Sequence, residues 1–232
     1  MNYNLLKSLS TVVFLYFLSV QVLLAQNSNQ QAQITQPFHL TAIPWESEEV
    51  HKDAFLKLIE ATCLVVAKQQ DEKGAIIDPY LHREHQYSTP YFAFAVGVLL
   101  KAEHGDLLKE AGIKAMEHST LAFSQGSKAI PDEHGEFFIS PLSNALALYQ
   151  PHVSKKQFEL WQKRMKTPLV EVMQNFDGRT NNWRTYAMKG EWNRAQHQLS
   201  TKAFATEFIE TAWTQYSQKI RIVNDKWNMY QD

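Results

Sequence analysis

The sequence predicts an all-α chain of antiparallel helical hairpins packed side by side, and three observations predict it. From Glu46 onward, apolar residues recur at helical spacing almost without interruption. Helix-start signals recur along the same stretch, at Ser47, Thr89-Pro90, Asp106 and Ser154. No β-branched alternating run bounded by hairpin turns breaks the pattern. Helices of this length joined by short turns return antiparallel to their neighbours.

The first helix is expected from about Ser47, a good N-cap, to about Gln70, before a turn around Gly74. Phe55, Leu58, Ile59, Thr62, Cys63 and Val66 share one face of it. Cys63, the only cysteine, therefore reads as a small core residue rather than a reactive thiol. Thr89 is the expected N-cap of the second helix, with Pro90 in the first turn, where a missing N–H costs nothing. That helix continues through Phe92, Val96, Leu99 and Leu100, and Gly97 inside it marks close helix packing.

Asp106 is expected to cap a helix through Leu108, Ala115, Met116 and Ser119, ending near Gly126. A short apolar helix follows from about Pro141 to Tyr149. Ser154 with Gln157 makes a capping box for the next helix, which carries Phe158, Trp161, Met165 and Val172 and which Pro168 should kink or split. Another helix is expected from about Asn182 to Gln196. The last begins at Ser200 and is expected to bury Phe204, Phe208, Ala212, Trp213 and Tyr216.

Residues 1–25 read as a secretory signal peptide, with Lys7 before an apolar run from Val12 to Leu24 and Ala25 at the cleavage position. The run is short for a membrane-spanning helix, so no integral span is expected after cleavage; a retained N-terminal anchor is the competing reading. Residues 26–44 are rich in Gln, Asn and Ser and read as a flexible leader, which leaves 45–232 as one helical domain, secreted or periplasmic. A single cysteine excludes an intramolecular disulfide. The net charge of -1 carries no nucleic-acid footprint and no polybasic membrane surface.

The chemistry is concentrated in three short polar segments at expected helix boundaries. In the first, Glu84, His85 and Tyr87 precede the Thr89 helix start, where backbone N–H groups favour anionic ligands. They are candidate substrate-binding residues, or else solvated loop residues with Tyr87 as a lid on the core. His82 and His85 lack a third ligand and an HExxH frame, so no metal is expected, and no cofactor either.

The second segment, Pro131 to Glu136, supplies Asp132, His134 and Glu136 as candidate catalytic residues. Glycoside hydrolysis needs two carboxyl groups flanking the bond, and a histidine between them tunes their pKa. Gly135 is expected to let the backbone turn so that these side chains converge, and Phe137 and Phe138 to draw the segment toward the core. The competing reading is a polar turn in which Glu136 favours the N-terminus of the following helix. The third segment offers Asn181 and Asn182 for hydroxyls, Trp183 for a sugar face and Arg184 for bidentate pairing with a uronate. Asn181 as an N-cap and Trp183 as core are its competing readings.

Three runs carry a family resemblance: His85-Gln86-Tyr87-Ser88-Thr89-Pro90-Tyr91-Phe92-Ala93, Pro131 through Phe138, and Asn181-Asn182-Trp183-Arg184-Thr185-Tyr186-Ala187-Met188-Lys189-Gly190-Glu191-Trp192. Together they resemble secreted bacterial polysaccharide-utilisation proteins similar to glycoside hydrolase family 154 and its uncharacterised relatives. The resemblance spans about residues 45–232 and implies an (α/α) toroid whose inner-helix loops form a saccharide cleft, with glucuronic acid or a related uronic acid as substrate sugar. A complete toroid of about twelve helices needs about 300 residues or more. The chain is therefore expected to be the front portion of a longer barrel, an incomplete ring that a homodimer would close.

The leading expectation is a glycoside hydrolase with a saccharide substrate, using Asp132 and Glu136 as carboxylates, or Glu84 as the second one. A polysaccharide lyase is the alternative, with Arg184 and Asn182 neutralising the uronate and His134 or Tyr87 removing the C5 proton. A non-catalytic saccharide-binding helical protein is the third.

Overall fold

The computed structural model describes residues 52–173, 181–217, 221–223 and 226–228. The expected signal peptide and leader lie outside them, as does the start of the first helix. Eight α-helices occur among the described residues: α1 (Lys52–Val66), α2 (Ser88–Lys101), α3 (Lys109–Ser124), α4 (Gly135–Tyr149), α5 (Lys155–Arg164), α6 (Leu169–Val172), α7 (Asn181–Gln196) and α8 (Lys202–Ser217). A short two-stranded ladder, β1 (Arg221–Val223) with β2 (Lys226–Asn228), is the only sheet among the described residues and was not expected from the sequence. The regular structure of the described residues is otherwise helical, with helices packed on helices.

The centre is α4. Its residues are apolar or small almost all round, and twelve of fifteen are buried, which is the pattern of a helix wrapped by others rather than lying on a surface. Its most extensive neighbours are α7 and α2, and α3 also packs on it. Tyr149 at its end is fully buried and donates its hydroxyl to the Ala93 carbonyl at 2.9 Å, which satisfies the phenol within the core. Gly97 on α2 permits this packing: a Cβ there would come within 3.1 Å of both Leu148 Cβ and the Tyr149 ring. Polar stitches hold α7 and the turn after it to α4, Asn193 Nδ2 donating to Ser140 Oγ at 2.8 Å and His197 Nε2, just past the helix end, lying 3.1 Å from Asn144 Oδ1.

Local rules set several boundaries as expected. Ser154 accepts the Gln157 N–H at 3.2 Å and caps α5, but the Gln157 side chain does not reach back. It donates instead to Glu117 Oε2 at 2.6 Å, so tertiary bonding replaces half of the expected box. Pro168 does split the helical run, with α5 ending at Arg164 and α6 starting at Leu169. Cys63 is 4 % exposed, and burial pushes its thiol up to about 11.

Other expectations need correction. The N-cap of α2 is Tyr87, not Thr89, because the Thr89 hydroxyl has turned into the interior to accept the Ile76 N–H at 3.0 Å. Asp106 opens a 3-10 turn, Asp106–Leu108, and does not cap α3. α4 starts at Gly135, six residues before Pro141, which is accommodated inside it. α8 is capped by Thr201, whose hydroxyl accepts the Phe204 N–H at 3.1 Å. Phe204 and Trp213, expected in the core, are 49 % and 52 % exposed. The side chain of Tyr216 lies outside the described residues.

Candidate functional site

The three polar segments meet. Phe137, buried in the first turn of α4, is the hub, and rings from all three segments surround it. Tyr87 stacks on it at 5.0 Å between centroids and 16° between planes. Tyr186 lies 4.3 Å away, Trp183 meets it edge-on at 5.9 Å and 84°, and His134 sits at 5.4 Å. His134 also packs on Trp183 at 4.6 Å. Tyr91, one turn into α2, lies 5.5 Å from Tyr87. Burial raises the Tyr91 pKa first, and the nearby Tyr186 and Tyr87 phenols, with a hydrogen bond to Tyr186, raise it further. Apart from Phe137 these rings belong to half-buried residues.

Asp132 ties the first two segments together beside this cluster. Its Oδ2 accepts the Gln86 N–H at 2.9 Å and lies 3.7 Å from His85 Nε2, while Oδ1 pairs with Arg83 Nη2 at 3.1 Å. What burial there is raises its pKa, but the Gln86 N–H and the Arg83 guanidinium outweigh it and hold the carboxyl below its ordinary range. The backbone here is unusual. His82, Gln86, Asp132 and Glu133 all have positive φ, four of the six such non-glycine positions among the described residues. Left-handed backbone costs free energy for residues with a Cβ, and this concentration marks the two loops as set by their surroundings rather than by propensity.

Gly135 serves differently from expectation. The turn is made by Asp132 and Glu133, and glycine is required next to them because a Cβ at 135 would collide with the Val172 carbonyl oxygen. Glu136 occupies the first turn of α4 and is fully buried. Glu133 is exposed.

The Glu84 carboxylate has partners of its own, different from those of the Asp132 carboxylate. Its two oxygens take the Thr89 hydroxyl and His118 Nε2, the latter at 2.8 Å. Burial pulls the His118 pKa down, yet the Glu84 hydrogen bond and charge raise it overall. The pair links the loop to α3. In the third segment α7 starts at Asn181, whose side chain lies outside the described residues. Asn182 is exposed, Trp183 half-buried, and Arg184 is only 5 % exposed.

Sequence reasoning missed Phe137, Tyr91 and Tyr186 as members of the cluster, because apolar rings within helices read as core. It also missed the Glu117 station, where Oε2 accepts from Gln157 Nε2 and from Trp161 Nε1 at 2.7 Å and Oε1 from Arg164 Nη1 at 2.7 Å. The signal was present in the spacing: residues 157, 161 and 164 present three donors on one face of α5, and such a face needs an acceptor. Among the described residues, no group of three or more His, Cys, Asp and Glu is placed to hold a metal ion, and no helix is long and apolar enough to cross a membrane. Comparison of the chain with protein-family models, with curated proteins and with solved structures finds no match.

Proposed function

We propose that the aromatic cluster and its acidic edge form a saccharide site, and that the chain is a glycoside hydrolase acting on uronic-acid-containing fragments in the secreted or periplasmic space. The observation that supports it is the convergence of Tyr87, His134 and Trp183, from three separate segments, around Phe137 with Asp132 fixed alongside. Half-buried aromatic faces suit the apolar C–H face of a pyranose, and the exposed amide of Asn182 suits its hydroxyls. Asp132, held ionised, is the proposed base or nucleophile, Glu136 the acid and His134 the group that tunes them. Arg184 is the proposed uronate partner. The same proposal reads the packed helices as part of an (α/α) toroid.

A binding-only reading is favoured by one observation: Glu136 is fully buried and Asp132 is already engaged by Arg83 and Gln86. Incubation with a panel of uronic-acid oligosaccharides separates the readings. Reducing ends without ultraviolet absorbance support the hydrolase, an absorbing unsaturated product means a lyase, and calorimetric binding without turnover leaves a binding protein. Neither binding nor turnover by folded protein overturns the saccharide site altogether.

A further inference from the structure

At the other end of α7 the structure holds a second feature that the saccharide reading does not use. Between the turn joining α5 to α6 and the turn joining α7 to α8 lies a cavity of about 500 Å³. Leu169, Leu199, Phe204 and Phe208 give it apolar walls, and Lys166 and Arg194 are its only charged lining residues among those described. From Trp183 to Arg194 is eleven residues of one helix, roughly 16 Å, so the cavity is distinct from the aromatic cluster.

Arg194 makes the cavity more than a greasy cleft. It is 3 % exposed, and its ion pair with Glu191, Nη1 to Oε2, is 3.4 Å long, against about 2.8 Å for a strong charge-assisted bond. Its Nε has no hydrogen-bond partner among the described residues. A buried guanidinium with an open donor is costly until an acceptor reaches it. The surroundings favour an anionic one. The chain stops α7 with Gln198 in the left-handed region and Leu199 N–H on the Arg194 carbonyl at 2.9 Å, then starts α8 at once with Thr201 as its cap. The positive end of α8 therefore lies at the same wall, and Lys166 stands exposed at the rim.

We propose that this cavity binds a small carboxylic acid with an apolar body, its carboxylate paired with Arg194 and its tail laid against Leu169, Leu199 and Phe204. The volume is that of a small-molecule site, and the lining itself carries positive charge and no acidic residue, Glu191 meeting Arg194 from outside it. The test uses octanoate and its uncharged counterpart octanamide, titrated calorimetrically into the full chain. Octanoate is expected to bind about tenfold or more tighter than octanamide. Arg194→Gln should abolish that preference. Because a buried substitution risks the fold, Phe204→Glu on the exposed lip is the second variant: it should weaken octanoate about tenfold or more while helical circular dichroism and thermal midpoint stay unchanged. Equal binding of acid and amide, no octanoate binding at millimolar concentration, or binding indifferent to Phe204→Glu would each overturn the proposal. None of these outcomes bears on saccharide turnover.

Discussion

Glu117 and Asp132 are both carboxylates whose pKa is held down, and they are held by different kinds of partner. At Glu117 burial raises the pKa and side-chain donors from Arg164, Trp161 and Gln157 lower it further than burial raises it. All three donors stand on one face of α5, so the carboxylate staples α3 to α5. At Asp132 the partners are a loop N–H, an exposed arginine and a histidine, and the residue itself sits at φ 54°. The first arrangement uses relaxed helices and fills every acceptor it can. The second sets a charge on strained backbone beside half-buried rings, which stabilises little and orders two loops. Strain retained where it stabilises little motivates the proposal that Asp132 lies at a functional edge.

The largest expected effect follows from removing the charge at the strained edge. Asp132→Asn keeps the shape and the Gln86 contact surface but removes the ionised carboxylate. Turnover of uronic-acid oligosaccharides should fall about 10³-fold, while the denaturation midpoint moves little, since exposed ion pairs contribute about 1 kcal/mol or less. Steady-state rates and urea denaturation on the same preparation check both halves. Full activity in the variant would remove Asp132 from catalysis.

Glu117→Ala should do the reverse. Three donors lose their acceptor, two of them on side chains that are mostly buried, and the loss of stability is expected at about 2 kcal/mol. Saccharide affinity of the folded protein should not change. A stable variant with impaired binding would mean that the staple also shapes the site, and the contrast with Asp132 would fail.

How much of this was legible in the sequence follows the same division. Helical periodicity located the helices, and Ser154 and Pro168 set their boundaries through backbone rules that need no tertiary partner. The start of α4 was missed because Pro141 reads as a helix beginning, although a buried run from Gly135 to Ser143 carries the helix through it. Thr89 was misread as a cap because its hydroxyl serves Ile76 and Glu84 instead. Phe204 and Trp213 show the limit of periodicity: it says which residues share a face, not whether anything covers that face. For the site, residue types and loop positions were readable, but the meeting of three segments around Phe137 was not. Spacing along a chain carries no statement of which loops become neighbours.

Within the aromatic cluster a smaller effect tests whether its rings bind sugar or only seal the core. Trp183→Ala should weaken saccharide binding about fivefold, near 1 kcal/mol for one stacking face, measured by calorimetry at fixed pH. Trp192 is 46 % exposed on the same helix, and Trp192→Ala controls for loss of an exposed indole as such. If both variants bind alike, the cluster is packing and the saccharide face lies elsewhere.

The smallest effect concerns the Glu84–His118 pair, which belongs with Glu117 if it is a staple and with Asp132 if it serves the site. His118 has a folded pKa raised above its ordinary 6.5, because Glu84 outweighs the burial that would lower it. Its contribution to stability is therefore fully present below the unfolded pKa and is lost as pH rises through the folded one. The His118 contribution to the thermal midpoint should fall modestly between about pH 5.5 and about pH 8.5, and His118→Gln should flatten that part of the slope, while His197, whose pKa burial lowers, contributes in the opposite direction in both proteins. The carboxylates do not confuse the reading, since Asp132 and Glu117, with lowered pKa values, contribute fully above their unfolded pKa and lose that contribution only on acidification. A flattened slope with saccharide affinity unchanged places Glu84 among the staples. A slope that flattens together with a loss of affinity makes it the second carboxylate of the site.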